Sequence, residues 1–151
     1  INWLNENYPE KKIFINNSSK KISYFLYLWT SRQLLPILFK IIAHEIPNVL
    51  EEDDIDYYIK TREKRINGSI TKFVPFVSSS IEEFRKSIDP VRKIITNNGY
   101  ISGKRPGIED CIFFGNLKWV DVCSPCNLLD NKDPVYQWYK NLLKIIDKPI
   151  N

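Results

Sequence analysis

Cys123-Ser124-Pro125-Cys126 is the spacing in this sequence best suited to thiol redox chemistry or to half of a zinc site. A redox pair needs its first cysteine at a helix N-terminus, where the dipole lowers the thiol pKa. Here the pair follows an apolar helical stretch, at the end where the dipole raises it. Zinc needs two further ligands, yet there is no second C-x-x-C and His44 is the sole histidine, on a different helix. The cysteines are therefore read as structural thiols, with a disulfide switch second, zinc last and no metal expected. His44 falls at the end of a long helix, where an imidazolium suits the terminus, so a capping role is expected. Glu51-Glu52-Asp53-Asp54 gathers four carboxylates, but at a helix start these serve the dipole and not calcium or magnesium. No phosphate-binding glycine loop, Ser-His-Asp set or H-E-x-x-H is present.

The elements that must position these groups read as helical nearly throughout. Ile22, Phe25, Leu26, Trp29 and Gln33 fall at helical steps, and the pattern continues through Leu35, Leu38, Phe39 and Ile42 until Pro47, with a kink expected at Pro36. A second helix starts at the acidic cluster, carries Ile55, Tyr58, Ile59, Arg62 and Ile66 on one face, and ends at Asn67-Gly68. A third begins near Ser79-Ser80, with Glu82 and Glu83 spaced for a capping box, and aligns Ile81, Phe84, Ile88, Val91 and Ile95, bent at Pro90. The fourth, Ile108 to Val122, aligns Ile108, Ile112, Gly115, Trp119 and Val122 but is apolar on its other faces too, as a central buried helix would be. The last opens with Asp133 as N-cap and Pro134, and turns Val135, Trp138, Leu142 and Ile145 inward. The fold class is all-α, a bundle of about five helices.

Composition agrees with one ordinary domain: 151 residues, 43% hydrophobic and 26% charged. A chain of this size can bury enough surface to hold a core without disulfides or metal. The excess of 22 basic over 18 acidic residues is scattered, too weak to argue for nucleic acid. No apolar run reaches the ~18 residues that span a bilayer. Three cysteines and no secretory signal point to a cytoplasmic home. The sequence opens Ile1-Asn2-Trp3-Leu4 and holds no methionine, so part of a longer protein is expected.

The order of features resembles the glutathione transferase family. Ile101-Ser102-Gly103-Lys104-Arg105-Pro106-Gly107-Ile108-Glu109-Asp110-Cys111 is similar to the family's loop leading into a capped central helix, with Gly107 where the family has Ser or Thr and Asp110 retained. Glycine is an acceptable N-cap. Trp3-Leu4-Asn5-Glu6-Asn7-Tyr8-Pro9 resembles the end of a thioredoxin-like domain, and Trp29 to Pro36 the first long helix of the helical C-terminal domain. Phe114-Gly115-Asn116-Leu117-Lys118-Trp119, Ser124-Pro125 and Asp133 to Trp138 resemble bacterial members near the β-etherase branch.

The resemblance implies a remnant of the thioredoxin-like domain at 1–8, an interdomain linker at 9–19 and the helical domain at 20–151. It implies a glutathione S-transferase whose glutathione and activating residue belong mainly to an N-terminal domain outside this sequence, so the chain alone is expected to be inactive. It further implies a homodimer, and a substrate pocket for a hydrophobic electrophile to which Tyr24, Tyr27, Trp29, Arg32 and Gln33 would contribute. Trp29 reads more readily as core. Arg32 and Gln33 fit either the cleft between domains or a buried hydrogen bond. The alternative from another class is a non-catalytic binding or assembly module with the same fold.

Overall fold

A computed structural model describes residues 2–8, 10, 13–14 and 17–147. Positions 9, 11, 12, 15 and 16 of the expected linker, and the ends at 1 and 148–151, lie outside the described residues. The helices are α1 (Asn2–Asn7), α2 (Asn17–Trp29), α3 (Leu35–Ile42), α4 (Glu52–Ile66), α5 (Val77–Ser87), α6 (Asp89–Asn98), α7 (Ile108–Cys123) and α8 (Pro134–Ile146). Taking α2 with α3 and α5 with α6, five rods and the short α1 make an all-helical bundle. No strand forms among the described residues, where an isolated antiparallel bridge joins Tyr100 and Gly103.

The break between α2 and α3 has a chemical cause. Pro36 has no N–H, so the ordinary α-helical bond to the carbonyl four residues earlier is lost. The chain responds with a π-helical turn over Thr30–Leu34, in which the Leu35 N–H bonds to the Thr30 carbonyl. The expected kink is thus an inserted wide turn just ahead of the proline. Asp89 and Pro90 likewise open α6 afresh after α5, with the Ile88 and Arg92 N–H groups bonding across the junction at 3.1 and 3.0 Å.

The core joins Leu34, Leu38, Ile41 and Ile42 of the first rod to Phe84 and Ile88, to Phe113 and Val120 of α7, and to Val135 and Trp138 of α8. Helix α7 packs against α2, α3 and α8, the central position expected of it. Its inward line is Asp110, Phe113, Leu117, Val120 and Cys123, whereas Val122 is exposed. The first rod is corrected in the same way: Ser23, Thr30 and Leu34 are buried, while Ile22, Phe25 and Gln33 face outward. Both stretches are apolar on several sides, so period alone does not select the inward face. The faces of α4 and α5–α6 are as expected, and Asn67 ends α4 in the left-handed conformation at φ 50°. In α8, Ile145 is exposed and Tyr139 is buried beside Trp138 and Leu142.

Two expected caps do not form. Helix α5 begins at Val77 after a 3-10 segment over Ile70–Phe76 and has no side-chain N-cap, so Glu82 and Glu83 close no capping box. His44 lies in the turn beyond α3; its Nε2 is 3.4 Å from Glu45 Oε1 and its buried Nδ1 has no partner. Asp133 does cap α8, accepting from the Val135 N–H at 2.9 Å. Its carboxylate also receives the Arg92 guanidinium at 2.9 Å, which ties α6 to α8.

Candidate functional site

The N-terminal half of the first rod exposes large apolar side chains on two sides, Tyr24 and Tyr27 on one and Ile22 and Phe25 on the other. Ile22, Tyr24, Phe25 and Tyr27 are 61%, 62%, 68% and 53% exposed. Water contact over this much apolar surface is unfavourable. Between the two pairs Ser23 is buried, with its hydroxyl 2.5 Å from Glu109 Oε1 and 2.8 Å from the Ser19 carbonyl. The other oxygen of Glu109 accepts from the Ser102 hydroxyl at 2.6 Å. One carboxylate thereby fixes the aromatic helix against the loop that enters α7.

The rings of Tyr24 and Tyr27 stack with centroids 6.4 Å apart and planes 23° from parallel. Both line an open cavity of about 380 Å³ with Phe14, Lys20, Ser23, Ile108 and Ile112. Trp29, Arg32 and Gln33 do not line it. Trp29 packs against the core, while Arg32 and Gln33 are exposed on the π turn, which removes the buried-hydrogen-bond reading of those two. The site predicted from sequence thus divides into a tyrosine cavity and two exposed polar side chains further along the rod.

What holds this region is the start of α7. Asp110 is fully buried and accepts four N–H groups: Ile101 at 2.9 Å and Trp138 Nε1 at 2.8 Å on Oδ1, Ser102 at 3.1 Å and Gly107 at 3.0 Å on Oδ2. It caps α7, anchors the preceding loop and pins α8. Gly107 supplies no side chain to complete the reciprocal half of a capping box. A Cβ there would lie 2.5 Å from Ser102 Oγ and 2.7 Å from Ser102 Cβ, so the serine occupies the space an N-cap side chain would need.

The cysteines lie away from the tyrosine cavity. Cys123 is buried, Cys126 half-buried and Cys111 exposed, all three as free thiols. Burial pushes each thiol pKa up, with Asp110 adding to it at Cys111. Raised pKa values keep these groups protonated and poorly nucleophilic near neutral pH. Among the described residues, no three His, Cys, Asp or Glu side chains gather as a metal site.

Sequence reasoning missed the Glu109 bridge and the Arg92–Asp133 tie. Ser23, a small polar residue inside an apolar run, is the signal that pointed to the first. The second joins residues 41 positions apart and leaves no local pattern.

The architecture is that of an all-helical domain built on a capped central helix, with an aromatic surface turned outward on its leading rod. Residues 22–142 match the model of the glutathione S-transferase C-terminal domain, and the chain belongs to that family. No curated protein matches it. No helix among the described residues is long and apolar enough to cross a membrane.

Proposed function

We propose that this chain is the helical portion of a glutathione S-transferase and supplies the apolar wall against which an electrophile meets the glutathione thiol. The observation that carries the reading is the exposed, stacked pair Tyr24 and Tyr27 lining one cavity on a helix that Ser23 ties to Glu109. In this reading a thioredoxin-like domain precedes the linker, which ends where α2 begins at Asn17, and it binds glutathione and provides the activating residue. Tyr24 and Tyr27 offer stacking surface to the electrophile, Arg32 and Gln33 face the cleft, and Trp29 supports them from the core. The protein works as a cytoplasmic homodimer. Residues 114–119 and 133–138 support a place near the bacterial β-etherase-like branch.

The helical domain contributes desolvation and orientation, which favour thiolate attack on a carbon bearing a leaving group. The test uses the protein with its preceding domain, glutathione and 1-chloro-2,4-dinitrobenzene. Thiolate attack on the ring carbon forms the C–S bond and releases chloride. Retention on immobilised glutathione and chloride-releasing conjugation are expected, with Tyr24→Ala and Tyr27→Ala raising the KM for the electrophile and leaving retention unchanged. Loss of neither activity nor electrophile affinity in both variants sinks the assignment of the pocket.

A second reading, a non-catalytic binding or assembly module, is favoured by the chemistry of the tyrosine cavity itself. Among the described residues, Lys20 is the one titratable side chain lining it besides the two tyrosines. Absence of glutathione retention by the protein with its preceding domain selects this reading.

A further inference from the structure

A second concavity, of about 420 Å³, opens where α3, the 3-10 segment Ile70–Phe76 and the start of α5 meet. Its volume falls in the range of small-molecule sites. Ser79 and Ser80 each lie three or four residues from Phe76 and from Glu83, so the start of α5 presents these four as one stripe along the wall. Lys40 of α3, with Lys72 and Phe73 of the 3-10 segment, completes the lining.

One polar group here is left without a partner. Ser80 is 2% exposed, and its hydroxyl makes no hydrogen bond among the described residues. A helical serine can return its hydroxyl to a carbonyl of the preceding turn, as Ser79 does to Phe76 at 3.0 Å and Ser87 to Glu83 at 2.8 Å. Ser80 does not, although a buried hydroxyl without a bond is unfavourable. It lines the concavity instead.

The charges around that hydroxyl are open to an anion. Among the described residues no carboxylate lies within 4.0 Å of the Lys72 ammonium, which donates to the Ile66 carbonyl at 2.7 Å and keeps two further N–H groups. Lys40 approaches Glu83 only to 3.9 Å, with both side chains well exposed, and such a pair contributes little. Helix α5 starts here with no acidic residue in its first turn and no side-chain cap, so the positive end of its dipole meets the same space.

We propose that this concavity binds a sugar phosphate, its phosphate dianion held between Lys40 and Lys72 on the Ser80 hydroxyl and its sugar hydroxyl groups on Glu83. Ammonium groups and an O–H donor suit phosphate oxygens. The rings of Phe73 and Phe76, the second largely exposed, offer an apolar wall to the C–H face of the sugar. The Glu83 carboxylate repels a bare phosphate but accepts from hydroxyl groups, so the ester fits better than the free anion. The concavity shares no lining residue with the tyrosine cavity, and the proposal depends neither on glutathione nor on a preceding domain.

The intact chain is titrated calorimetrically with glucose 1-phosphate, a non-reducing ester that leaves lysines unmodified, and in parallel with inorganic phosphate and methyl glucoside. Saturable 1:1 binding of the ester is expected, at least tenfold tighter than inorganic phosphate and weaker at high salt, with none for the glucoside. Ser80→Ala should weaken the ester at least fivefold without lowering the melting temperature of the free chain, because no bond is lost. Lys40→Gln should weaken both phosphates, and Glu83→Ala should bring the ester and inorganic phosphate within twofold of each other. Absence of saturable binding, equal affinity for inorganic phosphate, or an ester affinity indifferent to Ser80→Ala overturns the proposal. A melting temperature lowered by Ser80→Ala overturns it too, since the hydroxyl would then serve the fold. Each of these outcomes leaves glutathione retention by the longer protein untouched, so the two readings fail separately.

Discussion

The indole Nε1 of Trp138 donates to the buried carboxylate of Asp110 at 2.8 Å, joining the last helix to the first turn of the central one. The bond spans 28 residues and closes a set of four N–H groups on one side chain. Local capping of α7 and long-range packing of α8 thus depend on the same two oxygens.

Asp110→Ala should destabilise the domain by roughly 3–5 kcal/mol, because it strands several donors at once, one of them the buried indole. Asp110→Asn keeps the volume but aims an NH2 at backbone N–H groups, and should recover only a small part. Urea unfolding followed by tryptophan fluorescence measures both. A loss below 1 kcal/mol for the alanine variant would show that water replaces the carboxylate freely.

Gly107→Ser restores the residue type the family uses at the cap, yet here it should cost about 1–3 kcal/mol through overpacking against Ser102. Adding Ser102→Gly should return most of that loss, since the colliding side chain is gone. A double-mutant cycle reads the coupling directly. Additive effects of the two changes would remove steric exclusion as the reason for the glycine.

Alkaline stability should bend downward above about pH 10. Burial, with the Asp121 carboxylate beside it, holds the Tyr139 pKa well above the ordinary tyrosine range, and burial also raises Tyr58. The unfolded chain ionises its tyrosines near pH 10, so it sheds these protons first and stability falls as pH rises. Tyr139→Phe should flatten part of that fall in melting temperatures taken from pH 8 to pH 11. Asp121 behaves in the opposite sense. Burial opposes its ionisation, but bonds from Lys118 and the Tyr139 hydroxyl outweigh it and lower the pKa. Its contribution is present above about pH 4 and disappears as pH drops through the lowered value.

Alkylation with iodoacetamide at pH 7.5 should modify Cys111 first, Cys126 more slowly and Cys123 last, in the order of their exposure. Peptide mass spectrometry over time gives the order. Rapid labelling of Cys123 in the folded chain would contradict its burial.

The helical class and the boundaries at Asn67 and Asp133 were legible because each depends on local chemistry: a left-handed cap and a side-chain N-cap. The inward faces of α4, α5 and α6 were legible because polar residues occupy their opposite sides. The faces of the first rod and α7 were not, since apolar side chains surround both and only packing selects among them. The candidate site suffered for this reason. Tyr24 and Tyr27 share a cavity and Trp29 supports the core, the reading its spacing favoured, but the Glu109 bridge that steadies the helix depends on residues 86 apart.

The π turn over Thr30–Leu34 sets the conditions under which the first rod can vary. One residue more than an α-helix needs is held inside a continuous helix, so deleting a single position there would bring the two segments back into common register and turn Tyr24 and Tyr27 through about 100° relative to Leu38 and Ile41. Mutation can then rework the aromatic segment without repacking the aliphatic one, provided the chain keeps its length at this point. The tolerated changes are exchanges of side chain, and the forbidden change is a one-codon deletion. A library of single-residue deletions scored for soluble expression and for the exposure of both tyrosines would map that boundary.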